Sequence, residues 1–272
     1  MSSVGVVEEF SSYLRYAGKS ELTVSQYARV VEDFLRFVGK GYESVDRRDV
    51  IRYYDYLKGS RGYSDRSLSV VGWALRSFFG YVGRNDIAMW VPVPSYHPYE
   101  EPKWLPEDVV MKVVGRTAVL ATAYDLALRL REVVLLRTDR FNPITGDIEV
   151  VRLKHKGRHN RYTLSLRDWA RKLLADYVRE ERPPPDRLFP MSARMISYIF
   201  KRELRRAGLD PKEYSFHVLR HSRATNIAIQ ELREKGYVDI VSLAKFLGHA
   251  RPETTLMYVH LATKYLKLGE QR

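Results

Sequence analysis

The sequence predicts a mainly α protein with one small antiparallel β-sheet, an α+β fold in two parts. Through most of the 272-residue chain, apolar residues recur with the period of an amphipathic helix. Two neighbouring segments alternate instead in the manner of β-strands, on either side of a basic turn. A proline-rich stretch between residues 83 and 106 interrupts the helical period. These observations give the fold class and divide the chain.

The first part, residues 1–84, is predicted to be a domain of four helices joined by short turns. The first helix spans Val6 to Tyr16, and Ser20 or Thr23 caps the second, which ends at Gly39. The third helix starts near Asp49, and a Ser64-Asp65 cap precedes the fourth. The apolar face of the fourth helix is formed by Leu68, Val71, Leu75, Phe78 and Val82.

A linker at residues 85–105 and a second domain at residues 106–272 are predicted to follow. Five prolines lie between residues 92 and 106, interleaved with aromatic side chains, which is typical of an extended and semi-rigid connection. In the second domain one continuous helix is predicted from Ala118 to Leu136. Two strands, 148–153 and 161–166, flank a basic hairpin tip, and further helices complete the domain.

Charge and composition restrict the function. The 46 Lys and Arg residues exceed the 33 Asp and Glu residues by 13, and the excess is spread along the chain, which predicts a polyanionic partner. Charge alone also fits a basic protein without such a partner. The absence of cysteine excludes disulfides, thiolate catalysis and cysteine-bound zinc. We see no secretory signal and no apolar run long enough for a membrane, and expect a cytoplasmic protein.

Two features of composition favour a heat-adapted source. Asn and Gln together number only seven, and these amides are thermolabile. Charged residues make up 29% of the chain, slightly above the usual share. A melting temperature in the ordinary mesophilic range would contradict this hypothesis.

The stretch from His217 to Tyr258 gathers side chains suited to chemistry on an anion. His217 and Arg220 are three residues apart, so on a helix they share one face. His249 follows Gly248, which can end a helix, and Tyr258 lies nearby in sequence with a hydroxyl nucleophile. Cleavage of a phosphodiester without a metal needs fixed cations around the phosphate, a hydroxyl nucleophile and a proton donor for the leaving oxygen.

These segments closely resemble the signature of the tyrosine recombinases, the phage integrase-type family. The matching segments are His217-Val218-Leu219-Arg220-His221-Ser222, Leu247-Gly248-His249 and Thr254-Thr255-Leu256-Met257-Tyr258. Upstream, residues 128–137 resemble the first arginine box of the family, and Lys156-Gly157 its mobile lysine loop. The first domain resembles its helical, SAM-like core-binding domain, and the second its catalytic domain. The resemblance therefore covers nearly the whole chain.

The chain departs from the family pattern at two places. Leu126-Ala127 stands where the family usually has Thr-Gly, and His155 stands where its hairpin usually has glycine. Neither change removes a catalytic group.

The resemblance implies the central roles in strand cleavage. Tyr258 would attack the scissile phosphate and form a 3′-phosphotyrosine, which frees a 5′-hydroxyl. Arg129 and Arg220 would hold the phosphate oxygens. Glu132 would support the site without contacting the phosphate, as the acidic residue of the family's first arginine box does. Arg131 and Arg137 compete with Arg129, although the Arg-x-x-Glu spacing favours Arg129.

The resemblance also implies the proton transfers. Lys156 would protonate the leaving 5′ oxygen, with Lys154 as its competitor. His217 would assist proton transfer with Tyr258, and His249 would bond a phosphate oxygen. His221 is expected to be structural. No metal or organic cofactor is implied. No ATP is required, because the covalent intermediate conserves the bond energy.

The expected function is site-specific recombination of double-stranded DNA by a homotetramer assembled on its recombination site. We expect a Xer-type resolvase of chromosome or plasmid dimers, with chemistry like that of type IB topoisomerases. An integrase or excisionase of a small mobile element is the alternative, and a non-cleaving DNA-binding protein is a third. The segment after Tyr258 would dock on a neighbouring subunit or fold back on its own domain.

Overall fold

A computed structural model describes residues 3–95, 101–152, 160–249 and 251–270. The chain divides into two compact units, Met1–Tyr99 and Glu100–Arg272, and each has its own hydrophobic core. Helices predominate, and the described strands form one two-stranded antiparallel sheet. The predicted fold class is therefore confirmed. Among the described residues, no helix is long and apolar enough to cross a membrane.

The first unit is a bundle of helices around an aromatic core. Its helices are α1 (Ser3–Tyr16), α2 (Glu21–Val38), α3 (Arg47–Asp55), α4 (Asp65–Tyr81) and α5 (Asn85–Ala88). Ser20 caps α2, since its hydroxyl accepts a hydrogen bond from the Thr23 amide at 3.2 Å, as predicted. Short α5 lies in the stretch predicted as a linker and buries Ile87 in the core of this unit.

Helix α3 begins at Arg47, near Asp49 as predicted, and Asp46 is its N-cap. The Asp46 carboxylate accepts from the amides of Arg48 and Asp49, at 2.7 and 3.2 Å. The Asp49 carboxylate in turn accepts from the Asp46 amide at 2.9 Å, which completes a capping box. A π-helical turn, Tyr56–Ser60, continues the helix.

The second unit contains eight α-helices and the sheet among its described residues. The helices are α6 (Glu107–Val114), α7 (Ala118–Asp125), α8 (Leu130–Val134), α9 (Asp168–Glu181), α10 (Ala193–Arg206), α11 (His217–Lys235), α12 (Ile240–Leu247) and α13 (Leu256–Glu270). Strands β1 (Asp147–Val151) and β2 (Arg161–Ser165) pair antiparallel, with Asp147 opposite Ser165 and Val151 opposite Arg161. Ile148 and Val150 of β1 point into the core.

The prediction of one continuous helix from Ala118 to Leu136 is wrong, because the helix is interrupted at Ala127. Ala127 has a φ of 49°, in the left-handed region that residues other than glycine rarely occupy. The Leu128 amide donates to the carbonyl of Ala123 at 2.8 Å, and the Ala127 amide to Tyr124 at 2.9 Å. This is the Schellman ending of a helix. The break makes Arg129 the residue that precedes α8.

Helix α13 packs on its own domain, against α11. Leu261 and Ala262 are buried in a cluster with residues of α11 and α12. The Tyr265 ring meets the Trp104 ring edge-on at 5.1 Å between centroids. In this single-chain structure the helix after Tyr258 therefore packs on its own domain.

Candidate active site

Glu132 fixes both the backbone and the side chain of Arg129. The Arg129 amide donates to Oε2 of Glu132 at 2.9 Å, and its Nη1 donates to Oε1 at 2.8 Å. Glu132 is fully buried, whereas the Arg129 side chain remains 16% exposed. The i,i+3 spacing that distinguished Arg129 in sequence therefore orients a guanidinium at the start of α8. The competitors lie elsewhere: Arg131 is exposed, and Arg137 pairs with Asp139 at 2.7 Å.

A second arginine, Arg152, binds the same carboxylate from the end of β1. Its Nη1 donates to Oε2 of Glu132 at 2.9 Å, and its side chain is 1% exposed. Burial alone would raise the pKa of Glu132, but the charges of Arg152 and Arg129 and the bonds to Arg129 lower it below its usual value. Glu132 is thus a carboxylate shared by two guanidinium groups.

Sequence reasoning missed Arg152, although one signal was present. Arg152 continues the alternation of Ile148 and Val150, so it occupies the inward face of a strand whose other inward residues are apolar. An arginine at such a position must find a buried partner, because an isolated buried charge is very costly.

Arg220 is the third arginine of the cluster, and it is held by backbone carbonyls. It lies in the first turn of α11 and is 1% exposed. Its Nη1 donates to the carbonyl of Ala127 at 2.7 Å, and its Nη2 to that of Leu247 at 2.5 Å. The left-handed turn at Ala127 and the end of α12 therefore present the oxygens that orient Arg220. Burial, and then the charges of Arg129 and Arg152, lower the pKa of Arg220 to about 9.

Tyr258 lies in the first turn of α13 and is almost fully buried. Its Oη is 3.0 Å from Nδ1 of His221. Burial raises the pKa of Tyr258, although the charges of Arg220 and Arg129 oppose that rise. The residue that this structure places against the Tyr258 hydroxyl is therefore His221, which the sequence predicted to be structural.

Two further histidines, His217 and His249, belong to the same cluster. The rings of His217 and His221 stand perpendicular with centroids 4.5 Å apart, and His217 is exposed. The His249 ring stacks on the Tyr258 ring at 6.2 Å, and its Nδ1 is 2.9 Å from Oγ1 of Thr255. His249 follows Gly248, whose φ of 62° ends α12 as predicted. Lys154 and Lys156 lie within residues 153–159, outside the described residues.

Burial keeps the inner histidines neutral. Burial, and then the charges of His217 and Arg220, lower the pKa of His221 to about 3. Burial, and then the charges of Arg220 and Arg129, lower the pKa of His249 to about 4. Both imidazoles are therefore uncharged at neutral pH and are able to accept or donate a hydrogen bond.

Positive charge exceeds negative charge in this cluster. Three guanidinium groups belong to it, those of Arg129, Arg152 and Arg220. Among the residues that the structure describes, Glu132 is the one carboxylate within ion-pair distance of them. Two positive charges thus remain uncompensated beside Tyr258, in a site where low solvent access strengthens electrostatic interactions. Such a site favours an anion between the arginines and the tyrosine.

Comparison with known proteins defines the class to which this fold and site belong. Residues 110–264 match the family model described as phage integrase family. Residues 6–88 match the model described as phage integrase, N-terminal SAM-like domain. The chain belongs to the phage integrase family, a class of DNA strand-transfer enzymes.

Its homologues include Xer-type tyrosine recombinases. Tyrosine recombinase XerA of Thermococcus kodakarensis is 30% identical over 98% of this chain and 94% of its own length. XerA of Pyrococcus horikoshii is 31% identical over 96% of this chain and 91% of its own. The matches extend along the whole chain, so they include both units.

Solved structures share the fold. The crystal structure of XerA recombinase aligns with a TM-score of 0.53 at 22% identity, over 99% of each chain. The XerH site-specific recombinase bound to its difH substrate, in a pre-cleavage complex, aligns with a TM-score of 0.69 at 19% identity. That alignment covers 95% of this chain and 82% of XerH.

Proposed function

We propose that this protein is a site-specific DNA recombinase of the Xer type, which cuts and rejoins duplex DNA through a 3′-phosphotyrosine intermediate. The observation that carries the proposal is the uncompensated pair of positive charges around a buried tyrosine. A DNA phosphodiester bears the negative charge that this site lacks. The relatives named XerA, which match this chain over nearly their whole length, support the same function.

Arg129 and Arg220 are the proposed phosphate clamp. Guanidinium groups stay charged at neutral pH and present forked N–H donors that fit phosphate oxygens. Negative charge builds on those oxygens in the transition state, so donors fixed beforehand stabilise it without reorganisation. The Ala127 and Leu247 carbonyls and the Glu132 carboxylate provide that fixation.

Tyr258 is the proposed nucleophile. Its oxygen attacks phosphorus and the bond from phosphorus to the 5′ oxygen breaks, so the phosphate becomes linked to tyrosine and a 5′-hydroxyl leaves. His217 assists removal of the phenolic proton, His249 bonds a phosphate oxygen, and Lys156 protonates the leaving oxygen. The 5′-hydroxyl of a partner strand then reverses the reaction and reseals the backbone.

Accessibility limits when this reaction can occur. Tyr258 is 1% exposed and its hydroxyl is bonded to His221. Attack requires the oxygen to approach phosphorus to about 3–3.5 Å. DNA binding must therefore open the surroundings of Tyr258 or move its side chain before cleavage.

The assembly and biological role belong to the same proposal. Recombination joins two duplexes, each cut on both strands, so four active sites are needed and a homotetramer on DNA supplies them. Resolution of chromosome or plasmid dimers is the proposed role. Integration or excision of a small mobile element is the alternative, and the family match of both units is compatible with either.

A suicide DNA substrate tests the proposal. A nicked target site loses a short fragment after cleavage, so the covalent complex cannot reverse. We expect an adduct with the wild-type protein and none with Tyr258→Phe, while both bind the DNA equally. Exposed Tyr198 of α10 provides the matched control, because Tyr198→Phe should form as much adduct as the wild type. DNA binding without any adduct would favour the non-cleaving DNA-binding protein.

A further inference from the structure

We propose that Arg152 is a positioning residue that aligns the phosphate-binding groups of the site from behind. It acts on Arg129 through Glu132, and on His249 through the end of α12. The inference rests on the proposed function and adds a residue that the family resemblance did not supply. Because the Arg152 side chain is 1% exposed, it acts through its neighbours and does not touch DNA in this arrangement.

The first link runs through Glu132. Arg152 and the Arg129 backbone both donate to Oε2 of Glu132, each at 2.9 Å, while the Arg129 side chain donates to Oε1. Both oxygens of the Glu132 carboxylate therefore accept hydrogen bonds, and these bonds connect Arg152 with Arg129. Removal of Arg152 would leave Oε2 with the Arg129 amide as its one remaining donor among these groups, so the carboxylate could turn and the guanidinium of Arg129 would lose its fixed direction.

The second link runs to the end of α12. Nη2 of Arg152 donates to the carbonyl of Phe246 at 2.5 Å, one of the last carbonyls of that helix. Such carbonyls lack helical partners and carry the negative end of the helix dipole, so a guanidinium suits them. His249 lies three residues after Phe246, and its amide donates to the Ala244 carbonyl at 2.9 Å.

Gly248 leaves the space that Arg152 occupies. A Cβ built on Gly248 would lie 3.1 Å from both Cδ and Nε of Arg152. The backbone before His249 thus rests directly on the arginine side chain. Arg152 therefore contacts Glu132, which holds Arg129, and the backbone that precedes His249. A displacement of its guanidinium would shift both Arg129 and His249.

A role limited to stability explains this arrangement poorly. Arg152 is a third cation in a buried cluster, where its charge lowers the pKa of Arg220 and of His249. Apolar side chains of similar size often replace buried ion pairs without loss of stability. The extra charge becomes favourable when a phosphate lies between Arg129 and Arg220, which is the state that cleavage requires.

The test compares two conservative substitutions in the full-length protein. Arg152→Lys keeps the charge but lacks the fork that reaches Glu132 and Phe246 at once. Arg167→Lys is the matched control, since Arg167 likewise bridges two acceptors, the carboxylates of Asp125 and Glu107. Single-turnover cleavage of the suicide substrate is measured at saturating protein, beside DNA affinity and thermal unfolding.

We expect Arg152→Lys to cleave at least 30-fold more slowly, with DNA affinity within about threefold of wild type, because its effect falls on the chemical step. Arg167→Lys should lower the melting temperature without slowing cleavage. Cleavage by Arg152→Lys within threefold of wild type would overturn the inference. A loss that Arg167→Lys reproduces at equal loss of stability would overturn it too.

A glycine pair keeps the inference testable if Arg152→Lys does not fold. Gly248→Ala and Gly236→Ala both place a side chain at a left-handed helix end, with φ of 62° and 77°. Only the first meets Arg152, since the Cβ at Gly236 has nothing within 4 Å. We expect similar losses of stability but slower cleavage only in Gly248→Ala, and equal cleavage rates would refute the inference. Absence of an adduct from the wild type would instead refute the proposed function.

Discussion

The Nδ1 of His221 lies 3.0 Å from the Oη of Tyr258, so the proposed nucleophile is bonded to a neutral imidazole. Proton transfer across this bond is strongly unfavourable before DNA binds. The pKa of His221 is lowered to about 3, whereas that of Tyr258 is raised above its ordinary value of 10.0. The bond therefore orients the phenol and does not ionise it.

Substitution of His221 should slow cleavage modestly. In His221→Phe the phenol loses one hydrogen bond, worth about 1 kcal/mol, so single-turnover cleavage should fall roughly tenfold or less. His217→Phe should cost more, about 100-fold, because His217 is the proposed partner in proton transfer. A larger loss in His221→Phe than in His217→Phe would move that role to His221.

The buried histidines should make the protein sensitive to acid. Below its ordinary pKa of 6.5, a histidine binds a proton in the unfolded chain, whereas His221 and His249 stay neutral in the folded protein to about pH 3 and 4. The unfolded state then binds more protons, so the free energy of unfolding should fall as the pH falls from 6.5 toward 4.

Comparison with a variant isolates this effect from the protonation of carboxylates. His221→Gln should reduce the slope by on the order of 1 kcal/mol per pH unit, less what partial exposure screens. Urea unfolding at several pH values measures the slope in the wild type and in the variant, and equal slopes in the two proteins would contradict the prediction.

Ala127 should tolerate glycine unusually well. A residue with a Cβ pays roughly 1–2 kcal/mol of strain in the left-handed backbone conformation of Ala127, and glycine does not. The lost methyl and the added chain entropy together cost a similar amount. Ala127→Gly should therefore stay within about 1 kcal/mol of wild type by urea unfolding.

Two other substitutions define the scale for that result. Ala123 of α7 is as buried as Ala127 but has an ordinary helical backbone. Ala123→Gly should therefore destabilise by about 2 kcal/mol, since it relieves no backbone strain. Ala127→Val should destabilise by more than about 2 kcal/mol, because a β-branched side chain is poorly tolerated in the left-handed region. Equal losses in the two glycine variants would show that Ala127 is not strained.

Glu132→Gln should be strongly destabilising but partly rescued by DNA. It leaves Arg129 and Arg152 without their shared carboxylate, and breaking a buried ion pair costs about 3–5 kcal/mol. A bound phosphate returns negative charge to the cluster. Target DNA should therefore raise the melting temperature of this variant more than that of wild type, and an equal or smaller rise would contradict the account of the charge.

Local signals in the sequence predicted much of this arrangement. Ser20 begins α2 because its hydroxyl caps the helix, and Gly248 ends α12 because glycine adopts the left-handed backbone. The ordered motifs selected Arg129 and Arg220, which the structure brings together across 91 residues. The i,i+3 pair of Arg129 and Glu132 was visible because it is local.

Long-range contacts determine what the sequence did not reveal. The segment around Ala127 has a continuous helical pattern, yet its backbone turns where Arg220, 93 residues away, binds the carbonyl. Arg152 finds Glu132 only in the folded chain, and His221 meets Tyr258 across 37 residues. Neither periodicity nor residue spacing predicts these contacts, since each depends on how elements distant in sequence pack together.

The most direct measurement is the identity of the amino acid in the covalent complex. The adduct formed with the suicide substrate is digested with protease and nuclease, and the nucleotide-bearing peptide is sequenced by mass spectrometry. We predict that the remaining nucleotide is attached through its 3′-phosphate to Tyr258, one of 19 tyrosines, and that the released strand has a free 5′-hydroxyl. Attachment to another residue, or through a 5′-phosphate, would contradict the proposed mechanism.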